Sequence, residues 1–152
     1  MISGMRVRRR SSAGGKKSYR FYRLYVTEVN EQNSVAVRTL ALIDKDEVDV
    51  APSRFIAATA SSSGALYPPE RVVDPSGYWW SGDSSGLPAW VALELDRPTA
   101  IVAYGVQRHT ASGYRPRSWR FEGSNNGVNW KTLDTQTNIT LPASEVRVFE
   151  LS

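Results

Sequence analysis

Tyr114–Trp130 reads YRPRSWRFEGSNNGVNW, an aromatic strand, a polar turn and a further aromatic in one short run. Trp119 and Phe121 stand two apart and so share one face of an extended strand, with Ser118, Arg120 and Glu122 on the other. Asn125-Asn126-Gly127 tolerates positive φ and lets the chain reverse into Asn129-Trp130-Lys131. A β-hairpin is predicted here, and the same period of two recurs on both sides of it.

Upstream, Ser18–Val29 (SYRFYRLYVTEV) and Ser34–Ile43 (SVAVRTLALI) are rich in aromatic and β-branched residues and predict two strands around the Glu31-Gln32-Asn33 turn. Asp44–Ala51 is acidic and reads as loop, with room for a short edge strand. Phe55–Ala60 is a third strand, running into Ser61-Ser62-Ser63-Gly64, and Tyr67–Trp80 is irregular, broken by Pro68, Pro69 and Pro75. Trp90–Leu95 puts Val91, Leu93 and Leu95 on one face; Ile101–His109, Trp119–Gly123 and Trp130–Asp134 follow. Val146–Leu151 sets Val146, Val148 and Glu150 against Arg147, Phe149 and Leu151. No segment carries a helical period over ten or so residues, and turn clusters recur about every dozen. The pattern predicts an all-β chain, an eight-stranded jelly-roll sandwich of two sheets.

Charge divides the chain in two. Residues 1–17 carry Arg6, Arg8, Arg9, Arg10, Lys16 and Lys17 and no acid, whereas the other 135 residues carry 13 basic and 15 acidic side chains. The net charge of +4 therefore belongs to a basic arm at 1–17, ahead of a domain at 18–152. Such an arm is either a solvated tail or a segment docked on a partner. Nucleic acid is not the expected partner, because the body offers no basic groove interleaved with aromatics. No run of some 18 apolar residues predicts membrane insertion. Cysteine is absent and His109 is the sole histidine, which argues against thiolate and zinc sites.

The hairpin resembles that of the discoidin family (the coagulation-factor type C domains), Pro-x-x-aromatic-x-aromatic-x-Gly-Ser-x-Asp-Gly-x-x-Trp, with Asn126 in the place of the Asp. The resemblance runs from Ile56 to Leu151. ATASSSGALYPPERVVD is similar to the family's "Ala-x-Ser-Ser…Tyr-x-Pro…Ala-x-Asp-Gly" opening, YWWS to "x-Trp-x-Ser", PAWVALEL to "Trp-Leu-x-Ile-Asp-Leu-Gly", and VRVFEL to "Arg-x-Phe-x-Leu". In most relatives two more strands follow. Here their counterparts, YRFYRLYVTEV and SVAVRTLALI, stand at the front. Either Tyr19–Ile43 is the remnant of a preceding domain, or the domain is circularly permuted; the second is preferred, because domain termini often lie close together. The permuted order resembles modules of tailed-phage virion proteins. That resemblance implies a multi-copy virion component made in the host cytoplasm, with other virion proteins as partners.

The family is built for binding, and no nucleophile elbow surrounds His109, so an enzyme is not expected. No cofactor is expected to be required. The resemblance implies a structural calcium at Asp74, with oxygens from Ser76 or Ser81, but Val37 stands where the family's completing Glu would be, leaving the set short of a carboxylate. Family glycan sites lie in loops at one end of the sandwich. By position this implies Arg108 with His109, Tyr114 and Arg115 from one loop, and Trp79, Trp80 and Asp83 from another, as candidate ligands for a host-surface glycan. The tryptophans and Arg108 also read structurally: one of Trp79 and Trp80 as core, Trp90, Trp119 and Trp130 as core or family-structural, Arg108 as an ion-pair partner. Two functions follow, a glycan-binding module or a scaffold that decorates a capsid or joins tail parts through its basic arm.

Overall fold

A computed structural model of the chain describes residues 16–83 and 86–152. Arg6, Arg8, Arg9 and Arg10 of the predicted arm lie outside the described residues. Lys16 lies within them and donates from Nζ to the Leu151 carbonyl (2.7 Å). The fold is a β-sandwich of nine strands: β1 (Ser18–Val29), β2 (Ala36–Ile43), β3 (Phe55–Ala60), β4 (Trp79–Trp80), β5 (Ala89–Ala100), β6 (Ala103–Arg108), β7 (Pro116–Ser124), β8 (Lys131–Gln136) and β9 (Arg147–Glu150). One sheet has the order β3-β5-β1-β7-β8 and the other β4-β2-β6-β9, with every pairing antiparallel. The expected count of eight is corrected by β4, a two-residue strand inside the segment read as irregular. That segment also holds a 3-10 turn at Pro69–Val73, and a short helix, α1 (Ala51–Arg54), precedes β3. Among the described residues no helix is long and apolar enough to cross a membrane.

Strand β1 runs through the middle of the five-stranded sheet. Leu24 is opposite Val91 on one side and Phe121 on the other, and Val26 is opposite Ala89 and Trp119. The period of two sends Tyr22, Leu24 and Val26 into the core, and Phe21, Arg23 and Tyr25 to the outer face. Strand β2 contributes Val37, Leu40 and Leu42 to the same core from the other sheet. The N-terminal strands thus belong to one sandwich with β9, which pairs with β6 beside β2.

A stack of rings joins the sheets. Tyr104 of β6 lies flat on Phe121 of β7 (centroids 4.0 Å, planes 3° apart), with Tyr22 beyond Phe121 and Phe149 beyond Tyr104. The Tyr104 hydroxyl accepts from Trp119 Nε1 (2.9 Å) and donates to Asp134 Oδ2 (2.6 Å). Burial, and the hydrogen bond to the Asp134 carboxylate, push this phenol far above the ordinary tyrosine range, so it remains a donor. Tyr104→Phe strands the buried indole N–H of Trp119 at no cost in shape. We expect a loss of about 2 kcal/mol, read as a lower denaturant midpoint at unchanged m-value.

The β7–β8 turn forms as its residues dictate. Gly127 takes φ +73°, Ser124 Oγ accepts from the Gly127 N–H, and Asn126 Oδ1 accepts from the N–H groups of Val128 and Asn129. A carbonyl oxygen is all these contacts use, which is why Asn serves where the family pattern has Asp.

Candidate functional site at one end of the sandwich

The end of the sandwich opposite this turn collects the β1–β2 turn, the loops on either side of β4 and the loop from β6 to β7. Backbone pairing ties them together. The N–H groups of Glu31 and Gln32 donate to the Gly113 carbonyl, Ser81 N–H donates to Val35 O, and Gly64 N–H donates to Trp80 O. Strand β4 pairs with the start of β2, Trp80 opposite Ala36 and Trp79 opposite Val37. Adjacent strand residues face opposite ways, so Trp79 is wholly buried while Tyr78 and Trp80 turn outward together.

Outward, the rings form a chain. His109 contacts Tyr78 (centroids 4.1 Å), Tyr78 stacks on Tyr67 (4.8 Å), Tyr67 meets Trp80 edge-on (5.9 Å), and Trp80 meets Tyr114 edge-on (6.4 Å). All five residues are half-buried. Trp80 is fixed by its Nε1 bond to Ser34 Oγ (3.1 Å), and by Gly64, where a Cβ would overlap the indole. Tyr114 is positioned by a 3-10 turn at Ser112–Tyr114. His109 Nδ1 accepts the Ala111 N–H (3.0 Å), which places the proton of the neutral ring on Nε2. Burial first, then the charges of Arg38 and Arg108, hold His109 below its ordinary range, so the ring is neutral at pH 7. Burial and a hydrogen bond with Tyr67 raise Tyr78, against the opposing charge of Arg38. The result is a band of aromatic faces edged by phenol hydroxyls, a neutral imidazole and the charge of Arg38.

Of the residues expected from the sequence, Trp80, His109 and Tyr114 come together here. Trp79 does not: it donates from Nε1 to Ser62 O (3.0 Å) and Ser63 Oγ (3.2 Å) inside the fold. Arg108 also points inward. It is buried, its Nε donates to Leu141 O (3.1 Å), and one terminal nitrogen donates to the carbonyls of His109 (2.9 Å) and Thr110 (3.1 Å). It pairs with carbonyls and not with the acid anticipated for it. Asp83 is exposed and makes no hydrogen bond or ion pair among the described residues. Arg115 contributes its carbonyl to the Asn30 N–H. Tyr67 and Tyr78 were absent from the expected set. The spacing of Tyr78 and Trp80, two apart around a buried Trp79, was the available signal for one of them.

The side-chain oxygens expected around Asp74 are engaged within the fold. Its Oδ1 accepts from the Ser76 N–H and Ser76 Oγ (both 2.9 Å), which closes an Asx turn, and these bonds hold its carboxyl below the ordinary range. Ser81 is buried, with its Oγ accepting the Val35 N–H (2.9 Å). Val37, at the position of the family's completing Glu, is wholly buried in the core, and no group of three or more His, Asp or Glu side chains gathers among the described residues.

Comparison with known proteins agrees with this geometry. No curated protein and no solved structure matches the chain. The F5/8 type C domain model matches residues 57–152, well over half of the chain, from β3 to the end of β9. Two antiparallel sheets carrying an aromatic loop end, together with that match, place the chain in the F5/8 type C (discoidin) family, a family of binding modules.

Proposed function

We propose that the protein is a non-catalytic binding module whose loop end, built on Tyr67, Tyr78, Trp80, His109 and Tyr114, takes a glycan. One observation carries this reading: five rings, from strand β4, the connection that precedes it and the loop after β6, converge on one outward-facing band, beside hydroxyl and imidazole donors. Sugar C–H faces stack on aromatic rings, and hydroxyls pair with such donors. The strand order is proposed to be a circular permutation, since β1 and β2 lie outside the matched residues yet complete both sheets. With that order goes a setting in a tailed-phage virion, where many copies would multiply a weak single-site affinity. A scaffold role is the second reading, favoured by the inward use of Arg108 and Trp79 in holding the loops.

A glycan array with the intact chain tests the proposal, followed by Trp80→Ala and Tyr114→Ala. Each truncation is expected to weaken binding about tenfold, at about 1–1.5 kcal/mol per lost stacking ring. Thermal melting measured alongside should show the variants folded. No array binding by the intact chain, or unchanged affinity in both variants, favours the scaffold.

A further inference from the structure

The outer face of the five-stranded sheet carries a second aromatic assembly, away from the loop end and using different residues. Trp90 and Trp130, expected as core or family-structural residues, are half-buried on this face with Phe21 and Tyr25. The Arg23 guanidinium lies over the rings of Trp130 (4.1 Å), Tyr25 (4.9 Å) and Trp90 (5.4 Å), and Arg120 lies over Tyr25 (4.3 Å). Beneath them Glu122, its side chain 5% exposed, accepts from Arg23 Nε (2.7 Å) and Arg120 Nε (3.1 Å). Thr132 Oγ1 donates to the same carboxylate (3.2 Å).

Two features of this assembly exceed what cladding of a sheet requires. First, the charge is unbalanced: Glu122 serves two guanidinium groups, and the flanking Arg20–Glu94 pair (3.1 Å) is neutral on its own. Arg23 spends only its Nε on the protein, and its terminal nitrogens make no hydrogen bond among the described residues. They form the end of a planar fork packed among the rings, and such a fork receives a carboxylate through two parallel bonds. Second, the indole N–H groups of Trp79, Trp80 and Trp119 all have acceptors, whereas those of Trp90 and Trp130 have none among the described residues. Free donors and partly open aromatic surface therefore flank a cation in surplus.

We propose that this face is a second ligand site, specific for a saccharide bearing a carboxylate, a uronic or sialic acid residue. The carboxylate pairs end-on with Arg23, the sugar ring lies against Trp90 and Trp130, and their indole N–H groups donate to its hydroxyls. The surplus positive charge selects the anion, and the aromatic surface selects a ring over a bare ion. This site stands independently of the loop end, and either can fail alone.

Indole N–H signals of the intact protein, one for each of five tryptophans, test the proposal. The chain is titrated with trigalacturonic acid, with its methyl ester, and with 3′-sialyllactose beside lactose. Saturable shifts of the Trp90 and Trp130 signals with at least one acid are expected, with the matched neutral sugar about tenfold weaker or worse, because charge-assisted bonds are lost. Arg23→Lys keeps the charge and loses the fork, and should weaken the acid by a similar factor. The acid–neutral comparison on the unaltered chain stands even if that variant folds poorly. Trp90 and Trp130 signals unmoved by both acids, equal response to acid and neutral sugar, or shifts confined to Trp80 would each overturn the proposal. Self-association that shields Trp90 and Trp130 would overturn it too, in favour of a protein interface.

Discussion

A chain beginning at Asp44 does not fold. It lacks β1, so β5 and β7 lose their shared neighbour and the five-stranded sheet splits into two pairs with open edges. It also lacks β2, which joins β4 to β6 in the other sheet. Tyr22, Leu24 and Val26 leave the core from one side, and Val37, Leu40 and Leu42 from the other, all nearly or wholly buried. At about 1.5–3 kcal/mol for each large apolar side chain, the loss is on the order of 10 kcal/mol, comparable with the entire stability of about 5–15 kcal/mol expected of a domain. Removing residues 1–15 should by contrast leave the melting temperature nearly unchanged. Circular dichroism and thermal melting of the 16–152 and 44–152 chains separate the cases. Cooperative melting of the 44–152 chain would make β1 and β2 accessory, and would end the permuted reading of the strand order.

The strands were legible because alternation is a local property. Tyr22, Leu24 and Val26 announce an inward face whatever their partners are, and Asn126-Gly127 announces a turn. Strand β4 was not legible: two residues hold no period, and Trp79–Trp80 becomes a strand only because the start of β2 lies beside it. Site composition was legible in part. Trp80, His109 and Tyr114 were expected together, but Tyr67 and Tyr78 lie on either side of a proline-broken stretch whose path is set by packing and not by propensity. Of the two readings of Trp90, as core or as family-structural, the core one fails, and its alternation with Val91 pointed outward. A large aromatic is ordinarily buried, and nothing local says that Arg23 stacks against it from the adjacent strand. Arg108 carries the same lesson in reverse. It continues the inward series Tyr104, Val106, so its direction was readable, while its carbonyl partners were not.

Arg108→Ala is therefore expected to act on stability before it acts on any ligand. The side chain bridges loops that are distant in sequence, holding Leu141 O, His109 O and Thr110 O around one guanidinium. Hydrogen bonds to a charged group contribute about 1.5–3 kcal/mol, and the bonds of one side chain do not simply add, so the loss should be about 3 kcal/mol. In a domain of this size that corresponds to roughly 10 °C in melting temperature. Lys at this position places one ammonium where a planar fork spanned the acceptors, so Arg108→Lys should recover little. Glycan affinity of the folded fraction should fall less than stability does, because the ring band of Tyr67, Tyr78 and Trp80 is anchored from β4 and its flanking loop. His109 and Tyr114 would feel the change through the loosened loop after β6. An unchanged melting temperature with affinity abolished would mean that the guanidinium turns outward to meet the ligand, and that its inward bonds are dispensable.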